Sequence, residues 1–311
     1  MSTIPVGDHT PDQYSLPLRE RFASIKNVIR KFAYPVYNQL AHPFLLKKYA
    51  TADFQPNLWL GSQRGNDYAR HRRRVAQFIT LEGCDILVAG CGTARDVESW
   101  GSFKPRSIVG VDWFSYKAAW DLWEQYFSRN MPGTLLSFRQ ADLAQMNDFS
   151  DASFDVVSSD AVFEHVRNLQ EVLIEFYRIL RPGGVLYATF GPLWFGWGGD
   201  HVSGYDAVTS GYNHLILEGD AYQQYLDGMG EYSHSEHDGR TWIEHELFSK
   251  LTPRQYLNML ELAGFKRIFV SAIADKNASI CLNDGDLYKN SLSRFDPLDL
   301  HVSGMTIIYG K

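Results

Sequence analysis

The chain is short of cysteine, of net positive charge and of long apolar runs. Its three cysteines in 311 residues, Cys84, Cys91 and Cys281, fit neither a disulfide framework nor metal-ligand spacing. That excludes a stapled secreted scaffold and suits a reducing cytoplasm. A net charge of −6 argues against a protein built to hold nucleic acid. No run is long enough to span a bilayer. Asp8, Pro11 and Asp12 interrupt the opening residues, where a signal peptide needs its apolar stretch. The expectation is a soluble, cytoplasmic protein. At 45% hydrophobic residues it can bury a sizeable core, so disorder is excluded as well.

What is present begins with an asymmetry. Residues 1–74 carry 12 Lys and Arg against 5 Asp and Glu, whereas residues 75–311 carry 18 against 31. A basic N-terminal segment thus precedes an acidic body. Residues 1–16 read as an extended arm. Leu18, Phe22, Ile25, Ile29 and Phe32 then share one helical face, flanked by basic residues. Such a helix can lie on a membrane surface, but packing on its own domain is the expectation. A second helix, Asn66 to Thr80, carries Arg70, His71, Arg72, Arg73 and Arg74. A cluster of this kind can grip phosphates. Consecutive positions spread around a helix, however, so a solvated face is expected instead.

Beyond Leu81 short apolar runs alternate with helical patterns, which predicts a parallel sheet covered on both faces. The predicted strands are 85–89, 107–111, 134–139, 154–159, 184–190, 266–273 and 304–310. The predicted helices are 93–101, 115–128, 161–165, 169–180 and 253–263. Asn168 with Glu171 forms a capping-box pattern, and Thr252-Pro253 supplies an N-cap followed by a first-turn proline. Residues 191–250 break the rhythm with ten glycines and many aromatics, among them Trp194, Phe195, Trp197, Tyr222, Tyr225 and Trp242. A long insertion of this composition reads as a lid or binding surface. The stretch from about Asp275 to Ser303 is expected over the same end of the sheet.

The most informative stretch is Asp85 to Asp96, D-I-L-V-A-G-C-G-T-A-R-D. An apolar strand runs into Gly90, Cys91 and Gly92 and then a helix, a turn that leaves backbone N–H groups free for a closely approaching ligand. The next strand ends V-G-V-D, placing Asp112 where an acid can take two ribose hydroxyls. A nucleoside site follows from these two elements together.

The series V-A-G-C-G-T-A, V-G-V-D, Q-A-D-L, S-F-D-V-V-S-S-D-A-V-F-E-H-V and R-I-L-R-P-G-G-V-L-Y-A-T-F resembles the class I S-adenosylmethionine-dependent methyltransferases. The resemblance covers about residues 75–190, with the helix and strand from Leu251 to Ala274. It implies a Rossmann-like sheet of seven mostly parallel strands with the last antiparallel, in a domain over 75–311. An N-terminal helical extension (1–74) would precede it, and a lid (191–250) would interrupt it. The implied cofactor is S-adenosylmethionine. Gly90, Cys91 and Gly92 would lie against its methionine part, Asp112 on the ribose, Trp113 and Leu143 beside the adenine, and Asp142 on the adenine amino group. Asp160 would face the cleft near the methyl group. The chain departs from the family at Val88, where an acid is common, and at Ala94, where a third glycine is common.

In small-molecule N-methyltransferases a segment like F-E-H contributes acid–base groups, which makes Glu164 and His165 candidates. A structural role for His165, bonded to backbone, is equally open. His201, after a turn rich in Trp and Phe, is the preferred base for deprotonating an acceptor. The pair His234 and His237 has the spacing of metal ligands, but it matches no closed site, and no metal is expected. The sequence therefore predicts methyl transfer to a small, ring-bearing or apolar acceptor, by O- or N-methylation. The alternatives are an RNA or protein methyltransferase, or a cofactor-binding protein without transfer activity.

Overall fold

The computed structural model describes residues 58–59, 68–229, 239–283, 287 and 291–311. The arm, the helix expected around Leu18–Phe32 and the pair His234/His237 lie outside them. In chain order the elements are β1 (Leu58–Trp59), α1 (Tyr68–Val75), β2 (Asp85–Ala89), α2 (Val97–Gly101), β3 (Ser107–Asp112), α3 (Lys117–Asn130), β4 (Leu135–Gln140) and β5 (Phe154–Asp160). Then come α4 (Leu169–Ile179), β6 (Leu180–Phe190), α5 (Asn213–Ile216), α6 (Gly219–Gly228), α7 (Gly239–Glu244) and α8 (Pro253–Leu262). The last are β7 (Lys266–Ala274), α9 (Lys276–Asn283), α10 (Pro297–His301) and β8 (Val302–Gly310).

The strands form one sheet in the order β1-β7-β8-β6-β5-β2-β3-β4. All seven expected strands are present, and the two-residue β1 adds an edge pairing with β7. Among the described strands only β8 runs against its neighbours, β6 and β7. The strand β2 is the pivot. It pairs in parallel with β3 on one side and with β5 on the other, so successive crossovers leave it in opposite directions. A crevice opens at that switch point, above the C-terminal ends of the strands.

β2 is buried along its whole length, as its unbroken apolar run requires. Alternation divides its side chains between two cores. Ile86 and Val88 join Trp100, Trp120 and Phe127 from α2 and α3 on one face. Leu87 and Ala89 join Phe176 from α4 and Leu257 from α8 on the other. At the lower end Asp85 is held by Arg106, Ser107 and Arg181, which keep its carboxyl below the usual range.

Local signals fared unequally. Thr252 forms a full capping box with Gln255, and Pro253 follows in the first turn. Asn168 does not cap α4. Its backbone, at φ −100° and ψ 53°, is not the extended conformation a cap needs, and its amide turns to Glu171 instead.

The 191–250 insertion packs on the 275–303 stretch, as expected. Tyr212 and Leu215 share a cluster with Ala278, Cys281, Leu292 and Leu300, flanked by Trp194, Phe195 and Trp197. Its glycines serve packing. A Cβ on Gly211 would lie 1.9 Å from the Trp197 indole nitrogen, so glycine there seats the ring, which donates to the Val208 carbonyl.

Candidate functional site

The site is built at the C-terminal ends of β2, β3, β5 and β6. Gly90 leaves β2 at φ +68°, and a Cβ there would lie 2.2 Å from Val162. Backbone conformation and close approach both require glycine. The turn does not keep its donors free, contrary to the sequence expectation. Gly90 and Cys91 donate to the Val111 carbonyl, and Gly92 donates to Asp112 Oδ2 at 2.8 Å. A donor-rich anion nest is thereby spent on β3, which disfavours a phosphate there.

Asp112 also accepts from the Phe114 N–H at 2.9 Å, so backbone on both sides fixes its carboxylate. Next to it stand Trp113 and Phe114, 65% and 51% exposed. Large aromatics held open beside a fixed acid are what a nucleoside needs: a face for its base and an acceptor for its ribose. Asp142 is exposed after β4 and accepts from Ala144 N–H, while Leu143 packs against the core edge. Cys91 is buried in the core beneath the turn.

Asp160 ends β5 with its side chain engaged. Its Oδ2 meets Arg72 Nη2 at 2.5 Å, and Tyr187 donates to its Oδ1 at 2.8 Å. Arg72 also reaches Asp96 at 3.2 Å and stacks over Trp100 and Tyr187. It is fully buried. Burial opposes its charge, but Asp160, Tyr187 and Asp96 hold the guanidinium protonated. Removing one partner from a buried pair of this kind costs about 3–5 kcal/mol. The solvated face expected of the Arg70–Arg74 run is thus corrected at its centre. Arg74 likewise lies over the Phe269 ring rather than in water alone.

Glu164 and His165 lie in a turn stitched to the insertion. Glu164 Oε1 accepts from Gly191 N–H at 2.9 Å, and its carbonyl accepts from Ser249 N–H. Its Oε2 is buried with no hydrogen-bond partner among the described residues. Burial pushes this carboxyl up to about 8, against the pull of the Gly191 N–H, so it is protonated at neutrality. A carboxyl whose folded value lies above its unfolded one stabilises the fold fully below the unfolded value, and that contribution is lost as pH rises through the folded value. The thermal midpoint should therefore fall as pH rises from about 5 to about 8, and Glu164→Gln should flatten the decline. Parallel declines in the two proteins would contradict the assignment.

His165 Nδ1 lies 2.9 Å from the Leu247 carbonyl, the backbone partner foreseen for it. Donation there leaves Nε2 as the lone-pair nitrogen. Its ring centroid is 4.9 Å from that of His201 and 3.4 Å from that of Trp242, with Phe248 at 5.3 Å. The two histidines, treated as alternatives in the sequence, are neighbours. His201 adopts φ +65°, and its Nε2 is buried without a hydrogen-bond partner among the described residues. Burial lowers it to about 4, and it lowers His165 well below the ordinary value. Both rings are neutral at physiological pH, as a base must be before it acts.

The neighbouring Asp200 is structural. It accepts from Ser203 N–H, Ser203 Oγ and the Tyr222 hydroxyl, and His214 lies 3.7 Å away. Phe248, Tyr187 and Asp96 were not singled out in the sequence, and no local pattern marks them. Among the described residues no group of three or more His, Cys, Asp or Glu could hold a metal.

The family model described as methyltransferase domain matches residues 87–188, the span that holds the turn, Asp112, Asp142, Asp160 and the F-E-H segment. Sterol 24-C-methyltransferase of Aspergillus fumigatus is 32% identical over 118 residues, which is 38% of this chain and 30% of that protein. Residues 87–188 thus carry a methyltransferase domain of the kind that the sequence motifs resemble. Arsenite methyltransferase of Aquipseudomonas alcaligenes is 34% identical over 113 residues, 34% of this chain and 32% of that one. The chain thus spans about a third of the length of the curated relatives it matches. The solved S-adenosylmethionine-dependent methyltransferase from Mesorhizobium loti is 17% identical, covering 78% of this chain and 98% of its own, at a TM-score of 0.46. The family's cofactor is S-adenosylmethionine, and the residues present fit it. A fixed acid stands beside exposed aromatics at the switch point, and the turn before it presents no phosphate nest.

Proposed function

We propose that this protein transfers a methyl group from S-adenosylmethionine to a small, ring-bearing or apolar acceptor. The observation that carries the reading is the Asp112 carboxylate, fixed by Gly92 and Phe114 N–H groups beside an exposed Trp113. Asp112 would hold the ribose hydroxyls, Trp113 and Leu143 would border the adenine, and Asp142 would accept from its amino group. Gly90 and Gly92 would lie along the methionine part. When bound, the cofactor supplies an electrophilic methyl group on a sulfonium. Such a transfer needs alignment of two reactants more than covalent help from the protein.

The acceptor side of the proposal rests on the insertion. His165 and His201 meet Trp242 and Phe248 there, with Trp194 packed on Phe248, rings that offer an apolar wall around two neutral bases. His201 would take the acceptor's proton, and His165 would hold the wall through its bond to Leu247. The names of the relatives disagree on acceptor, one being a sterol and the other arsenite. The rings favour the apolar one.

Transfer of a labelled methyl group to a panel of aromatic and apolar acceptors tests the reading. Cofactor binding without any methylated product would favour a binding protein of this fold instead. If the insertion encloses the acceptor, amides in residues 191–250 should exchange more slowly when cofactor and acceptor are both bound. Equal hydrogen exchange in the free and doubly bound states would remove the lid from the proposal.

A further inference from the structure

The glycine turn after β2 is tied on two sides. Its N–H groups go to β3, and two of its carbonyls are taken by α3. Trp120 Nε1 donates to the Gly92 carbonyl at 2.7 Å, and Trp123 Nε1 donates to the Thr93 carbonyl at 3.1 Å. Three positions apart, the two indoles share one face of α3. Trp120 is itself firmly seated. It is buried, and its ring stacks on Phe138 with centroids 5.3 Å apart and 9° between the planes. Phe138 in β4 pairs with Gly110 in β3, where a Cβ would fall 2.4 Å from the Phe138 ring. The glycine of V-G-V-D therefore lets Phe138 lie close against β3, and Trp120 rests on it.

The turn has a conformation that needs such ties. Gly90, Gly92 and Ala94 are left-handed, at φ +68°, +49° and +63°. Glycine adopts this region freely, but Ala94 carries a Cβ and is strained there. Gly92 is the point where the ties meet. Its carbonyl accepts from Trp120, and its N–H donates to Asp112 Oδ2 at 2.8 Å. A Cβ on Gly92 would meet nothing within 4 Å among the described residues, so a ligand can approach the turn on that flank. A rotation of Gly92 that broke the indole bond would also swing its N–H off the carboxylate.

We propose that Trp120 is a positioning residue of the nucleoside site: its indole N–H, acting through Gly92, holds the Asp112 carboxylate in the orientation that receives the cofactor's ribose. Trp123 supports the same turn from the Thr93 carbonyl. Neither indole touches a cofactor atom in this scheme. What they supply is order in advance of binding, so that the ligand does not have to arrange the acid itself. The helix α3, with Phe138 and Gly110 beneath it, is thereby part of the site.

The proposal rests on the reading that S-adenosylmethionine is the ligand and Asp112 its ribose acid. Titration calorimetry of the full chain with S-adenosylmethionine tests it. Trp120→benzothienylalanine puts sulfur in place of the indole N–H and keeps the fused ring on Phe138. Affinity should fall about five- to tenfold, the worth of one hydrogen bond between neutral groups. Trp120→Phe should lose at least as much. Trp123→Phe should lose less, since its bond is longer and one residue further from Asp112. The deciding measurement is a double-mutant cycle. In an Asp112→Ala background the same Trp120 substitutions should change affinity by about twofold or less, because the acid through which they act is gone. A tryptophan that only stabilises the fold gives equal losses in both backgrounds.

Circular dichroism and melting confirm that each variant is folded. Should Trp120→Phe fail to fold, the isostere decides alone, because it removes the donor and leaves the ring. An isostere that does not fold overturns the proposal, since the bond is then a requirement of the fold. Equal losses in the two backgrounds, or parent-like affinity in the isostere, overturn it while the Asp112 assignment stands. Parent-like affinity in Asp112→Ala, or failure of the parent chain to bind S-adenosylmethionine, overturns the reading beneath it as well.

Discussion

Asp112→Ala should weaken S-adenosylmethionine binding by about 2–3 kcal/mol, the loss of two charge-assisted hydrogen bonds. In affinity that is roughly thirty- to a hundred-and-fifty-fold. The magnitude follows from how the carboxylate is held. It is clamped by Gly92 N–H at 2.8 Å and Phe114 N–H at 2.9 Å, so the ligand does not have to order it. The same clamp gives the substitution a second effect, because removing the acid also frees the Gly92 amide and loosens the turn. Asp112→Asn separates the two. Its amide oxygen can still accept from Gly92 N–H, while the charge that strengthens bonds to the hydroxyls is gone. Asn should therefore fall between the parent and Ala. Calorimetry showing parent-like affinity in Asp112→Ala would contradict the ribose assignment outright.

Much of this geometry was legible in the sequence because it is local. Ile86 to Ala89 had to be a doubly buried strand, and an acid at the end of the next run had to face the turn after it. Periodicity reports such features directly. The parts that were not legible are those decided by distant partners. Arg72 looks like its neighbours in A-R-H-R-R-R-V, and nothing local distinguishes it from Arg73. Its burial depends on Asp96 and Asp160, 24 and 88 residues away, and on two rings that receive the guanidinium. The turn's N–H groups were misread for a related reason. A Gly-rich turn offers donors, but whether they stay free depends on how closely β3 approaches, and here Val111 and Asp112 take them. Asn168 shows the opposite failure. The residue types of a capping box are present, but the backbone arriving from the 163–165 turn does not take the conformation the box requires. The two histidines were visible one at a time, while their adjacency is a product of the insertion folding back over β5 and β6.

That adjacency sets the largest effect expected of any side chain on turnover. His201→Ala should lower the methyl-transfer rate by roughly 10²–10⁴-fold, the usual worth of a positioned base, with cofactor affinity intact. His201 Nε2 is buried without a hydrogen-bond partner among the described residues, and such a nitrogen costs stability unless a ligand satisfies it. Its backbone at φ +65° adds strain of the kind kept at functional sites. His165 is different, since Leu247 already occupies its Nδ1 and fixes the ring. Removing His165 should disturb the wall around His201, raising KM for the acceptor more than it lowers kcat. The pH profile supplies an independent check. Burial lowers His201 to about 4, so the neutral, proton-accepting form prevails above that value and activity should be lost as pH falls through it. The ring's contribution to stability runs in the same direction. It is present above the unfolded value near 6.5 and lost as pH falls toward 4, so melting curves recorded alongside the rates separate loss of the base from loss of the fold. Near-parent activity in His201→Ala, together with a folded but inactive His165→Ala, would reverse the two roles.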